Sequence, residues 1–216
     1  MTPPAVGQSA PRLDATDKVA GSAQFTDDLQ FGPGLLYGRA VRSPYPHARI
    51  VRVEAGRALA LPGVRAVVTG ADTPGFIGLY LKDRHIFCRD RVRYVGDPVA
   101  GVVATSEEVA EEAARLVEVE YEELPAVVDP VAAAQPGAPL LHPDLGQYEV
   151  VPFIMPRPGS NISNHFKVRK GDVAAAWGQC DAVVEATYRV PHIQHVPLEP
   201  HIAVARWDPS GEVTLW

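Results

Sequence analysis

Apolar residues recur along most of this chain with a clear period, and the period changes several times. Leu35-Leu36-Tyr37-Gly38-Arg39-Ala40-Val41 and Ala48-Arg49-Ile50-Val51-Arg52-Val53 have the β-branched and aromatic content of strands. Residues 54–61 predict a short helix that stops at Pro62-Gly63, because Pro cannot continue a helix and Gly supplies a turn. Val64-Arg65-Ala66-Val67-Val68-Thr69 is a third, β-branched strand. Val99-Ala100-Gly101-Val102-Val103-Ala104 is continuously apolar, as expected of a strand covered on both faces. Thr105 follows as the expected N-cap, with Glu108 completing a capping box. Val109, Ala113, Leu116 and Val117 then share one helical stripe. Beyond it the period drops to two. Val117, Val119 and Tyr121 alternate with Glu118, Glu120 and Glu122, which predicts a strand with one solvated, acidic face. Helices alternating with strands over residues 12–125 indicate an α/β or α+β domain with a mixed sheet and short helices.

Periodicity then lapses. Pro125, Pro130, Pro136, Pro139, Pro143, Pro152, Pro156 and Pro158 fall in one stretch and take up much of the excess in a chain with 21 prolines. A residue with fixed φ and no N–H cannot stay in a ladder or a helix interior. Residues 126–160 therefore read as an extended connector, anchored by Leu140-Leu141, Tyr148, Phe153 and Ile154. From residue 161 a second α+β domain begins. Asp172 caps a short helix, residues 181–190 predict a strand, and Asp208-Pro209-Ser210-Gly211 joins a hairpin. That hairpin has barely begun at Trp216, so its edge and apolar face are expected to be completed by another polypeptide. Residues 1–11 lack periodicity and read as a flexible arm.

Composition narrows the function. With 216 residues and 46% apolar content the chain can bury a core. Its formal charge of −6, with no basic run to offset it, argues against nucleic acid. No apolar stretch suits a membrane span, and the first residues lack signal-peptide order. Two cysteines, Cys88 and Cys180, make no disulfide framework and point to a reducing, cytoplasmic setting. No GxxxxGK[ST], GxGxxG, GxSxG or HExxH pattern occurs. His192, His195 and His201, with Glu199 among them, have the types of a metal cluster but not its spacing. Pro191 and Pro197 forbid a helix that could align them. Ile86 and Phe87 make Cys88 a buried residue rather than a nucleophile, and Asp27-Asp28 reads as a turn-opening pair. No catalytic residue and no metal ligand emerges.

Several segments nevertheless resemble one family in order and spacing. Gly21-Ser22-Ala23-Gln24-Phe25-Thr26-Asp27-Asp28 resembles the G-x-A-x-[YF]-x-x-D opening of the xanthine dehydrogenase / aldehyde oxidase family. Arg42-Ser43-Pro44-Tyr45-Pro46-His47-Ala48-Arg49-Ile50 is similar to its R-S-P-x-x-H-A-x-I segment. Pro62-Gly63-Val64 through Asp72, Val92-Arg93-Tyr94-Val95-Gly96-Asp97-Pro98-Val99-Ala100 and Val119-Glu120-Tyr121-Glu122-Glu123-Leu124-Pro125 continue the match across its α/β hammerhead domain. Gly171-Asp172-Val173, Val184-Glu185-Ala186-Thr187-Tyr188 and His195-Val196-Pro197-Leu198-Glu199-Pro200 resemble the start of its molybdopterin-binding domain.

The resemblance implies a hydroxylase that uses molybdopterin with molybdenum on an aldehyde or N-heterocycle. It also implies iron–sulfur clusters and FAD in other subunits, and a molybdopterin-binding partner polypeptide. The family's glutamine-containing and glycine-rich cofactor segments and its catalytic glutamate have no counterpart here. The chain is thus expected to be a structural, cofactor-domain-completing part, inactive alone, with His195 and Glu199 as residues supporting the site. The alternative is a non-catalytic interaction module on a hammerhead fold.

Overall fold

The computed structural model describes residues 6–216. The expected arm falls outside the described residues up to position 5; residues 6–11 are exposed and hold neither helix nor strand. Contacts divide the chain into two units. One is Gly34–Gly178; the other combines the segment before Gly34 with Gln179–Trp216. In chain order the elements begin with α1 (Ala15–Ala20), β1 (Tyr37–Arg42), β2 (Ala48–Glu54), α2 (Gly56–Leu59) and β3 (Val64–Thr69). Short strands β4 (Phe76–Ile77), β5 (Arg84–His85) and β6 (Arg91–Val92) lead to β7 (Pro98–Ala104), α3 (Glu107–Leu116) and β8 (Glu118–Glu123). Then come α4 (Pro130–Ala133), α5 (Val173–Trp177), β9 (Ala205–Trp207) and β10 (Val213–Leu215).

Within Gly34–Gly178, β7 is the middle of a three-stranded sheet, flanked by β1 and β3. Its apolar run is covered twice, because successive side chains point to opposite faces. Val102 packs with Ala58 of α2 and with Ala113 and Val117 at α3. Val99, of opposite parity, packs with Ala48, Cys88 and Val92. Each fully buried valine contributes roughly 1.5–3 kcal/mol of transfer free energy. A second sheet places β2 between β6 and β8. Every ladder among the described residues is antiparallel, so the α/β fold class holds while the sheet, expected to be mixed, is not. The physical reason lies in α3. It carries the chain from β7 in one sheet to β8 in the other, so no parallel crossover forms within a sheet.

Two local expectations change. The helix expected over 54–61 is only the four residues of α2, where Ala58 alone is buried. Ser106, not Thr105, caps α3, its Oγ accepting from the Val109 N–H at 3.3 Å. Thr105 instead closes the turn before β3: its N–H donates to the Gly63 carbonyl at 2.9 Å. Gly63 has φ +97°, and a Cβ there would meet Thr105 Oγ1 at 2.8 Å, so glycine is required twice over.

The connector is fastened to this unit at several points. Leu81 pairs with Val150 in one bridge, while the Lys82 N–H donates to Glu149 O (2.9 Å) and the Val151 N–H to Tyr80 O (3.0 Å). Arg93 Nε donates to the Leu141 carbonyl at 2.9 Å. Asn161 accepts from the Leu141 N–H (2.9 Å) and donates to Ala133 O (3.1 Å) and Pro139 O (2.9 Å). Tyr148 packs on Phe76 and Phe153 on Tyr80, as their apolar character suggested, but the buried anchor is Leu145. Asp172 caps α5 through the Ala175 N–H (3.0 Å).

The other unit is sparser. α1 ends on Gly21 at φ 72°, and the Ser22 and Ala23 N–H groups close onto Asp17 O. β9 and β10 form the expected hairpin, extended by paired hydrogen bonds between Val204 and Trp216. The strand expected over 181–190 does not form. Residues 179–204 carry no helix or strand, and 179–203 are exposed throughout, with Val184 90% and Tyr188 86% accessible. A period of two makes a strand only when a neighbouring strand takes up its N–H and C=O groups. None does so among the described residues.

Candidate functional site

Two of the segments singled out in the sequence meet in the unit that joins the residues before Gly34 to Gln179–Trp216. Past Gly21 the chain enters a 3-10 turn, Thr26–Asp28, where Asp28 Oδ2 accepts the Phe25 N–H at 2.9 Å. This local bond presents Phe25, Asp27 and Asp28 to a groove of about 440 Å³, whose other walls are Lys18, Leu198, Glu199, Pro200 and Ile202. Four apolar residues, Phe25, Leu198, Pro200 and Ile202, thus line it together with three carboxylates and one ammonium. The arrangement can seat an apolar group and orient a neighbouring cation. It lacks a nucleophile paired with a base. The adjacent turn-opening acids Asp27-Asp28 are therefore part of the groove as well as of the turn.

Glu199 lies in the groove wall; His195 is exposed and is not among its residues. His192 and His201 are exposed as well. Among the described residues no group of three or more His, Cys, Asp or Glu is placed to hold a metal. Val196, between His195 and Pro197, has φ 45°. For a β-branched residue this left-handed conformation costs on the order of 1–3 kcal/mol. Nothing in the sequence announced that strain.

The matched segments between Arg42 and Pro125 serve the fold of Gly34–Gly178. The Ser43 N–H donates to Asp97 O (2.9 Å), the Gly96 N–H to Ser43 O (2.7 Å), and Arg42 reaches Gly96 O (2.9 Å). Asp97 Oδ2 accepts the Arg93 N–H at 2.9 Å, so Ser43 and Asp97 are buried with partners. His47, also buried, donates Nδ1–H to Pro125 O at 2.7 Å and receives the Leu124 N–H on its own carbonyl at 3.0 Å. Its Nε2 has no partner among the described residues. Cys88 is buried as its apolar neighbours predict. Burial, followed by the nearby Asp97 carboxylate, pushes its thiol up to about 12, which removes it as a nucleophile.

The glutamate row of β8 is a solvated face with partners the sequence reading did not assign. Glu122 pairs with Arg49, Glu120 with Arg52 (3.8 Å) and Glu118 with Arg57 (2.6 Å). A cavity of about 230 Å³ under the connector is lined by Asp83, Arg93, Asp97 and His142, among others. His142 shares a 3.3 Å hydrogen bond with Tyr148 Oη, and burial, then Arg93, holds its pKa below the ordinary value of 6.5.

The groove does not fit the phosphate-bearing pterin that the resemblance implies, because three carboxylates line it against one ammonium.

Comparison with known proteins gives a consistent picture. The model of the aldehyde oxidase and xanthine dehydrogenase a/b hammerhead domain matches residues 20–125, and that of the molybdopterin cofactor-binding domain matches residues 155–216. Over 95% of its length the chain is 39% identical to a Bacillus subtilis protein named as a probable xanthine dehydrogenase subunit, of which it spans 26%. It is 34% identical, over 97% of its length, to the nicotinate dehydrogenase large molybdopterin subunit of Eubacterium barkeri, spanning 46% of it. Among solved structures, quinoline 2-oxidoreductase from Pseudomonas putida 86 superposes with a TM-score of 0.79 at 30% identity. That superposition covers 97% of this chain and 26% of that one. The chain therefore spans about a quarter to a half of these relatives.

Proposed function

This chain belongs to the aldehyde oxidase and xanthine dehydrogenase family, and from that premise we propose that it is the N-terminal part, or a separate small subunit, of a molybdenum hydroxylase complex. The complex would act on an aldehyde or N-heterocycle. In this reading residues 12–125 are the hammerhead domain, 126–160 the connector and 161–216 the opening of the cofactor domain. The chain's own role is structural: it completes the cofactor domain and does no chemistry alone. Iron–sulfur clusters and FAD reside in other subunits, and the setting is cytoplasmic. No helix among the described residues is long and apolar enough to cross a membrane.

One observation carries the reading. Residues 179–203 combine a match to the cofactor-binding domain with full exposure and no ladder, in a chain whose hammerhead core is closed. Leaving Val184, Tyr188, Val190, Ile193 and Leu198 in water forfeits roughly 1.5–3 kcal/mol apiece, a loss that only further polypeptide can offset. Molybdopterin, when bound, supplies the redox chemistry, and its ligands come from that further polypeptide. His195 and Glu199 support the cofactor domain from this side, Glu199 through the groove it shares with Asp27 and Asp28.

Amide hydrogen exchange tests this. In the 216-residue chain alone, residues 179–203 should exchange within seconds, and in the complex isolated from its source they should be protected by at least about a hundredfold. Fast exchange in both states refutes the reading.

A further inference from the structure

Charge is unevenly placed on Gly34–Gly178. Several of its cations are matched, namely Arg39 with Glu107, Arg49 with Glu122, Arg52 with Glu54 and Glu120, Arg57 with Glu118, Lys82 with Glu149 and Arg115 with Glu111. Between Glu149 and Asp172 the sequence has no acidic residue at all, yet it holds Arg157, His165, Lys167, Arg169 and Lys170. None of these makes an ion pair with a described carboxylate. In a chain of net charge −6 this is a local reversal of sign.

The first part of this stretch is built rather than loose. The Arg157 N–H donates to Ile162 O (3.0 Å), the His165 N–H to Met155 O (3.0 Å), and the Met155 N–H to Asn164 Oδ1 (2.9 Å). These bonds fold residues 155–165 back so that Arg157 donates to the His165 ring. Arg157, His165 and Lys167 then line one open groove with Met155 and Pro156.

The second part is unpaired. Residues 164–170 run without helix, turn or bend, and no backbone hydrogen bond joins 166–170 to the described residues. Here Phe166 and Val168, 67% and 84% exposed, alternate with Lys167 and Arg169. A period of two with open N–H and C=O groups is what an added strand pairs with. The apolar side chains would grip alternate residues of that strand, and the cations would select its charge.

We propose that residues 155–170 are a docking strip for an acidic, extended polypeptide segment of a partner protein, bound by strand addition. The strip needs no cofactor, so it stands whether or not the chain works with molybdenum.

The test uses the full chain and a fluorescein-labelled peptide that alternates Glu with Val, read by anisotropy at low and high salt. Binding should weaken as salt rises, fall about tenfold or more in the Lys167→Glu/Arg169→Glu variant, and protect the amides of 166–170. A peptide alternating Lys with Val should not bind. Both substitutions are at exposed positions, and an unchanged thermal midpoint would show that the fold survives them. Equal binding by the charge-reversed variant, or by the Lys peptide, overturns the proposal. So does displacement of the peptide by sodium polyphosphate together with unprotected amides, which would make the strip a simple phosphate site.

Discussion

Cys88 joins two segments of the hammerhead: its N–H donates to Pro98 O at 2.7 Å, and a Cβ on Gly70 would meet its carbonyl oxygen at 2.6 Å. Backbone cannot retreat as a flexible side chain can. Gly70→Ala should therefore cost about 1–3 kcal/mol, read as a lower denaturant midpoint; an unchanged midpoint would contradict the close approach. His142 makes a second residue-scale prediction. Its folded-state pKa lies below the ordinary 6.5, so the unfolded chain takes up the proton first as pH falls. The contribution is intact above that value and is lost as pH drops from 6.5 towards the lower folded-state pKa. Thermal melts from about pH 8 to about pH 5 should show this loss, and His142→Gln should reduce it; a variant with the same pH slope would place the titration elsewhere. Burial of Cys88 was legible from Ile86-Phe87, because apolar neighbours on a strand-rich chain mark the inside. The positions of His47, Asp97 and His142 were not, since each depends on a partner outside its own segment's pattern, such as Pro125, Arg93 or Tyr148.

At the level of elements, local chemistry reads well wherever the element needs only itself and one sheet. β3 has the span its β-branched run predicts, and β7 is covered on both faces as its unbroken apolar run requires. The α3 cap shows how a shift of one residue escapes a sequence reading. Thr105 and Ser106 are both capping types, and the cap is Ser106, whose extended backbone (φ −145°, ψ 164°) directly precedes the helix. Ser106→Ala should accordingly destabilise the chain by about 1 kcal/mol, measured by chemical denaturation. Thr105→Ala leaves that cap in place, so a larger loss from it through fraying of α3 would reverse the assignment. The acid row of β8 has the same lesson. Alternation revealed the wet face, but the matching Arg49 and Arg52 sit on β2, visible only once the register of that pair is known. Such exposed pairs are worth roughly 0–1 kcal/mol each, so they set surface charge more than stability.

For the whole molecule, the sequence resemblance and the physical reading point the same way by different routes. The motifs cover the hammerhead and the opening of a cofactor domain, and family models match both parts. The physics distinguishes them. Gly34–Gly178 buries two clusters around β7, whereas residues 179–203 stay exposed. The strand predicted over 181–190 failed for the reason that defines the molecule: its alternation is real, but strand formation is a property of a pair, and no pairing strand is present among the described residues. His195 and Glu199 lie in the same exposed stretch, and of the two only Glu199 lines a groove. Native mass spectrometry with metal analysis of the complex isolated from its source tests the central claim most directly. The account predicts an assembly that contains molybdenum and further molybdopterin-binding polypeptide together with this one. A stable, metal-free monomer of 23.3 kDa would contradict it.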